Sequence, residues 1–369
     1  ALTVAGAALL PLSASAKTLV YCSEGSPENF TPALNTTGTS FDAARPVYDK
    51  LTQFTRGSTQ VEPGLAESWT VSPDAKVFTF KLRKGVKFHS GVNGFKPTRD
   101  FNADDVLFSF ERQWKDDHPY AKVSGGKYDY FADMGLKDDV AAIEKVDAYT
   151  VKLTLKKPNV TMLANLAMDF AAIHSAEYAD MLAKAGKKEQ FDQQPVGTGP
   201  FSFVMYQKDA VIRYKAYKEH WGEKALVDDL VYAITPDPTA RYSKLKAGEC
   251  HFVIAPRPAD LPEMQKDPAL RVINQSGLNI AYWAFNTQKA PFDKKEVRQA
   301  LSMAIDKAAI IKDVYLGAGQ AAVPDDQRMD MCNAHTTTTT TTTTAATPKP
   351  YDPTQPIDFS GVEGVTTEQ

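Results

Sequence analysis

Val77-Phe78-Thr79-Phe80-Lys81-Leu82 sits inside the longer run 63–89, PGLAESWTVSPDAKVFTFKLRKGVKFH, and it decides the fold class. Phe78, Phe80 and Leu82 fall on one face and Thr79 and Lys81 on the other. That period of two marks a strand with one buried face. Outward from it, Val151, Leu153 and Leu155 alternate with Lys152 and Thr154, and Pro158 ends that strand. Thr18-Leu19-Val20-Tyr21 reads as a third, short apolar strand.

Helices are legible between the strands. Asn102 predicts an N-cap, with Asp104 and Asp105 in the first turn, where negative charge suits the helix dipole. Val106, Leu107 and Phe110 then form an apolar stripe. Thr239 to Ala247 predicts a helix closed by Gly248 at C′. Asp293 followed by Glu296 predicts a capping box, and Val297, Ala300, Leu301, Ala304, Ile305 and Ala308 recur at helical spacing after it. Strands and helices in mixed order imply α/β or α+β layers. No internal repeat is visible.

At 369 residues the chain is too long for one ordinary core, and 43% hydrophobic with 24% charged residues is ordinary globular composition. A net charge of -3 gives no basic excess, so no nucleic-acid partner is expected. The 15 Tyr and 19 Phe suit either packing or the lining of a ligand cleft. Ala1 to Leu12 is small and apolar, and Ser13-Ala14-Ser15-Ala16 has the small-x-small shape of a signal-peptidase site. Residues 1–16 are therefore expected to be the remnant of an export signal, cut after Ala16, with no lipid-anchoring Cys beside the cut. The expected product is exported and soluble. Export places Cys22, Cys250 and Cys332 in an oxidising compartment. Pairing of Cys22 with Cys250 is expected there, two free buried thiols being the alternative, and Cys332 is left over.

From Val323 the sequence changes in kind. Thr336 to Thr344 is a run of nine threonines, followed by a Pro-rich polar tail to Gln369. The run has strand propensity but no evident core to bury it, so residues 323–369 read as a disordered or wrongly encoded low-complexity tail, or as an extracytoplasmic linker.

Catalytic signatures are scarce. There is no Gly-x-Ser-x-Gly elbow and no His-Glu-x-x-His. His89, His118, His174, His220, His251 and His335 are scattered, none at metal-ligand spacing from another, so they read as surface or satisfied histidines. Gly197-Thr198-Gly199-Pro200 lacks the Lys-Ser/Thr ending of a phosphate loop and reads as a tight turn. Asp104-Asp105 and Asp138-Asp139 are sequence neighbours that do not face each other on a helix, which makes them poor acid/base pairs. No catalytic residue, metal or cofactor is expected.

Several stretches resemble family 5 of the extracytoplasmic solute-binding proteins, which serve peptide and nickel ABC importers. Pro63-Gly64-Leu65-Ala66-Glu67-Ser68-Trp69, Ser72-Pro73-Asp74 and Phe78 to His89 follow the family signature almost throughout. Asn102 to Val106, Gly197 to Phe201, and Val297 to Leu301 with Ala304-Ile305-Asp306 resemble further family segments. Lys17 to Glu28, Lys122 to Gly126 and Leu166 to Phe170 are similar to its dipeptide-binding members. The resemblance runs from about Lys17 to Ala322 and also supports the Cys22–Cys250 pair.

It implies an α/β, type II periplasmic-binding-protein fold: two lobes, an inserted extra domain and a second lobe that is incomplete here. The implied parts are first lobe 17–58 and 187–276, inserted domain 59–186, and the start of the second lobe 277–322. Loaded lobes of this kind close by hinge motion. The implied ligand is a di- or short peptide, held extended by main-chain pairing as an added strand is. Implied partners are the permease subunits of an inner-membrane importer, and a periplasmic monomer is expected. In relatives an acidic residue and an arginine of the second lobe grip the peptide termini. Those positions lie beyond the point where this sequence departs. Thr36, Thr37, Gly38, Thr39 and Ser40 occupy the cleft-facing segment, a plain polar loop being the alternative, and Asn279 sits at the crossing between lobes. Tyr351-Asp352-Pro353 is a faint echo of the family's next helix start, and a frameshift or assembly error would account for the tail. Haem, glutathione or an amino-levulinic acid is an alternative cargo on the same fold. An exported hydrolase and a non-functional fragment are the remaining readings.

Overall fold

The computed structural model describes residues 16–273, 280–282, 284–321 and 336–339. Along the chain the strands are β1 (Thr18–Ser23), β2 (Thr52–Phe54), β3 (Val61–Pro63), β4 (Ala66–Val71), β5 (Val77–Leu82), β6 (Val140–Asp147), β7 (Thr150–Leu155), β8 (Phe201–Gln207), β9 (Val211–Ala216) and β10 (Asp229–Ile234). Two four-stranded sheets organise them. One has the order β1-β10-β9-β8, the other β4-β5-β7-β6. In the first, β1 runs parallel to β10 and the remaining pairs are antiparallel. The second is antiparallel throughout. β2 and β3 form a small antiparallel pair.

The alternation read from the sequence sets the second sheet. Phe80 pairs with Val151 and Phe78 with Leu153, so the apolar faces of β5 and β7 coincide. Phe78, Phe80, Leu82, Val151, Leu153 and Leu155 are all buried, while Lys81 is exposed. The helix Ala103–Trp114 and the segments around Phe131, Met162 and Phe170 cover that face. The same core takes in Leu51 from one side of the insertion and Phe191 and Val196 from the other. Under the first sheet the core is different in chemistry: Tyr21, Tyr48, Tyr214 and Tyr232 join Phe30, Val47, Ile212 and Ile234.

Two helices pack beside these sheets. α1 (Gly38–Ala44) comes after the loop that leaves β1. α2 (Ala103–Trp114) opens on the expected cap. The Asp104 amide donates to Asn102 Oδ1 at 2.8 Å and the Asn102 amide donates to Asp105 Oδ2 at 3.0 Å, a reciprocal box. The Arg99 guanidinium forks onto Asp105 at 2.6 and 2.9 Å. The helix Pro238–Lys246 begins one residue earlier than expected because Asp237 caps it and Pro238 fits its first turn. Gly248 closes it with φ 71°, the left-handed conformation glycine adopts without strain.

Three expectations are corrected. Asp293 and Glu296 form no capping box: the helix starts at Lys295, its cap is Lys294, and no side chain caps it. The turn before it is closed by backbone, with the Lys294 amide donating to the Pro291 carbonyl. The helical spacing that runs to Ala308 does not make one helix. The first ends at Met303 and a second spans Lys307–Asp313, because the Asp306 carboxylate accepts from the Ala309 amide at 2.9 Å and starts a new one. The threonine run is also not wholly without partners: β11 (Ile280–Tyr282) and β12 (Gly319–Ala321) flank β13 (Thr336–Thr339) in a three-stranded antiparallel sheet. β-branched threonine suits a pleated strand, and two short strand edges supply the ladder that the sequence did not show. The rest of 323–369 lies outside the described residues.

Candidate ligand-binding site

In sheets with parallel neighbours, ligands bind beyond the carboxyl ends of the strands. Here those ends are Ser23 of β1 and Ile234 of β10, tied by the Thr235 amide donating to the Ser23 carbonyl at 2.8 Å. The chain leaving β1 is shaped by its own short polar side chains. Ser23 Oγ donates to the Gly25 carbonyl at 3.0 Å, and Ser26 Oγ donates to Asp209 Oδ1, in the turn between β8 and β9, at 2.8 Å. Asn35 Nδ2 donates to the Thr31 carbonyl at 3.0 Å, and the Thr31 amide donates to Asn29 Oδ1 at 2.8 Å.

Thr36 to Ser40 come next, as the last loop residues and the first turn of α1. Thr36, Thr37 and Gly38 are exposed, Thr39 is half-buried and Ser40 is buried. A Cβ on Gly38 would meet nothing within 4 Å, so the space above it is open. Thr39 lies against Gly25, whose added Cβ would stand 3.5 Å from Thr39 Cγ2. Ser40 works inward: its hydroxyl accepts the Glu28 amide at 3.0 Å, and Thr37 Oγ1 lies 3.0 Å from it. Thr36 and Thr37 are thus the exposed hydroxyl residues of this segment, Thr37 Oγ1 being turned toward Ser40 Oγ and, at 3.3 Å, Glu28 Oε1, with Thr39 at their edge. Asn279 lies outside the described residues.

Below that segment is a charged floor that the sequence did not show. Arg45 Nη1 contacts Asp42 Oδ1 at 2.5 Å and Arg45 Nη2 contacts Asp169 Oδ2 at 2.9 Å, while Lys50 Nζ reaches Asp169 Oδ1 at 3.4 Å. Burial pushes the Asp42 carboxyl up to about 6, although Arg45 pulls the other way. Burial also works against charge on Asp169, but Lys50 and Arg45 outweigh it and hold that carboxyl below its ordinary value. Tyr232 Oη donates to the Asp42 carbonyl at 2.9 Å and Tyr214 Oη to the Ala43 carbonyl at 2.6 Å, so tyrosines of the sheet grip α1 from beneath. Tyr21 is buried in the same core, and burial, with the Asp42 charge adding to it, raises the pKa of its phenol. No spacing could have revealed this floor, since Asp169 stands 124 residues from Arg45.

Cys22 and Cys250 are bonded, with Cα atoms 5.7 Å apart. The bond fixes β1 just before its carboxyl end, where the Cys22 amide also donates to the Phe252 carbonyl at 3.1 Å. Gly197 and Gly199 have a different reason from a turn: a Cβ on Gly197 would stand 2.0 Å from the Val47 carbonyl oxygen, and one on Gly199 would stand 2.7 Å from that of Pro46. Between them Thr198 Oγ1 donates to Asp49 Oδ2 at 2.7 Å, as does Trp221 Nε1 at 2.8 Å. His89 is buried and bonds the Gly199 carbonyl, and burial lowers its pKa to about 4. Among the described residues no group of three or more His, Cys, Asp or Glu side chains is placed to hold a metal ion. Among the same residues no helix is long and apolar enough to cross a membrane.

Residues 60–355 match the model of the bacterial extracellular solute-binding proteins, family 5 Middle. The chain belongs to this family. Di/tripeptide-binding protein 1 of Pseudomonas aeruginosa (strain UCBPP-PA14) is 55% identical over 321 residues, covering 86% of this chain and 60% of the relative. Heme-binding protein A of Haemophilus influenzae is 52% identical over 311 residues, 84% of this chain and 57% of the relative. The crystal structure of the dipeptide binding protein from Pseudoalteromonas sp. SM9913 in complex with Met-Leu superposes with a TM-score of 0.77 at 39% identity, over 83% of this chain and 60% of that one. The chain thus spans about 60% of the length of the curated relatives it matches. Its fold is the α/β fold of the family's lobed binding proteins, and the family model reaches past Ala322 into the Pro-rich segment.

Proposed function

We propose that this chain is the substrate-binding component of an ABC importer for di- or short peptides, acting in the periplasm as a monomer that delivers its cargo to permease subunits of the inner membrane. The observation that carries this reading is the close likeness to a dipeptide-binding protein solved with Met-Leu, over 83% of this chain. The geometry of the open segment Thr36–Gly38 fits. An exposed backbone with a glycine and two threonines at the start of α1 can pair with a peptide main chain without reading its side chains. In this reading the site holds cargo without cleaving it, as membership of a solute-binding family supports.

The two sheets support a division into a first lobe (17–58 and 187–276) and an insertion (59–186), and the reading adds a second lobe from 277 that closes over the ligand. The 52% identity to a protein named for haem favours one second reading, haem as cargo on the same wall. Calorimetric titration of the purified chain with Met-Leu and with haemin separates the two. Peptide cargo predicts saturable heat with Met-Leu, a raised melting temperature and intact dipeptide on recovery. Binding of haemin alone, or recovery of free Met and Leu, would overturn the proposal.

A further inference from the structure

Residues 24–37 form one wall of the proposed cleft and contain only one short 3-10 turn, Pro32–Leu34. Their shape therefore depends on side-chain bonds, and the most buried of these come from far along the chain. Asp192 is wholly buried and bonds in three directions. Its Oδ1 accepts Thr31 Oγ1 at 2.6 Å, its carbonyl accepts the Phe30 amide at 2.8 Å, and its Oδ2 accepts Arg112 Nη2 at 2.9 Å. Arg112, on α2, is 1% exposed. Its Nε donates to Tyr128 Oη at 3.0 Å, and the Tyr120 and Phe191 ring centres lie 5.6 and 5.3 Å from the guanidinium carbon. One carboxylate thus joins the insertion's main helix to the wall.

A buried ion pair is a poor way to gain stability, because desolvating both charges offsets most of their attraction, and apolar residues of equal volume often serve as well. What such a pair supplies is fixed geometry. From Thr31 the geometry passes on: the Thr31 carbonyl and both Asn29 oxygens accept from the Asn35 side-chain Nδ2, and Asn35 precedes Thr36. We infer that Asp192 and Arg112 are positioning residues that set, through Thr31 and Asn35, where the hydroxyls of Thr36 and Thr37 stand in the cleft. The inference rests on the peptide-binding reading, which makes that segment the ligand's wall.

Thr31→Val removes one hydroxyl and leaves the ion pair, and Thr31→Ser restores the hydroxyl. Amide hydrogen exchange across 28–40, compared with 103–114 in α2, and Met-Leu affinity are read on both variants of the full chain. Loss of a buried bond to a charged acceptor predicts exchange about 10-fold faster in 28–40. It also predicts Met-Leu affinity weakened by roughly fivefold, because a site loose by a fraction of an ångström binds poorly. α2 should be unchanged and Thr31→Ser should behave as the parent. Unchanged exchange in 28–40, equal acceleration in α2, or undiminished affinity of Thr31→Val would overturn the inference. If the parent chain binds no Met-Leu, the functional reading falls, and positioning is judged by the exchange pattern alone.

Discussion

The two four-stranded sheets solve the same burial problem with opposite chemistry. β4-β5-β7-β6 packs phenylalanine, leucine and valine under α2, around a small apolar cavity of about 20 Å³ lined by Phe80, Val106 and Phe110 among others. β1-β10-β9-β8 packs tyrosines, of which Tyr214 and Tyr232 send their hydroxyls out of the core to hold carbonyls of α1, and a disulfide fixes its end. An apolar core can stabilise but cannot aim a neighbouring segment, since burial is non-directional. Hydrogen bonds aim, at a smaller net gain. The sheet built to aim is the one next to the proposed cleft.

The comparison breaks most visibly in the apolar sheet. Phe80→Ala is expected to cost about 4 kcal/mol, the sum of lost transfer energy and an enlarged cavity. Urea unfolding combined with hydrogen exchange should show the loss concentrated in β4-β5-β7-β6; equal loss in β1 and β10 would mean that the two cores melt as one unit. Next comes the junction. His174 is buried between Tyr48 and Phe191 with neither ring nitrogen bonded. Burial, with Arg112 adding to it, lowers its pKa to about 3. The folded state then binds fewer protons than the unfolded one below about pH 6.5, so stability present at neutral pH is lost as pH falls, by roughly 3 kcal/mol at pH 4. His174→Phe should remove that share of the acid sensitivity, and unfolding curves at pH 7 and pH 4 measure it. The smallest change tests the aiming sheet. Tyr214→Phe keeps the ring and loses only the bond to the Ala43 carbonyl, at a cost of about 1 kcal/mol. Its exchange signature should be confined to α1, and a spread through β9 and β10 would place the hydroxyl's role in the core instead.

Legibility in the sequence tracks locality. The strand Val77–Leu82, the cap at Asn102 and the stop at Gly248 each depend on residues within a turn or two, and the structure has all three. Asp293–Glu296 had the right spacing and failed, because a backbone turn at Pro291 moved the helix start past it. The surplus of aromatic residues pointed to packing ahead of a cleft. Tyr21, Tyr48, Tyr178, Tyr214 and Tyr232 are buried, so packing accounts for these five. Of the candidate site, Thr36–Ser40 was found through resemblance, yet only the structure separates the outward Thr36 and Thr37 from the inward Ser40. The Asp42–Arg45–Asp169 floor and the Thr31–Asp192–Arg112 junction left no trace, because partners 124 and 161 residues apart share no local pattern.

Periodicity and capping alone determined that this chain alternates strands and helices, and its motifs determined the family, because both are written in neighbouring residues and survive without any knowledge of the fold. Which hydroxyls face outward, which carboxylate carries a raised pKa and which buried charge holds the wall were decided only when the chain closed on itself. Those properties belong to distances and to exclusion of water, and neither exists until segments remote in sequence are packed together.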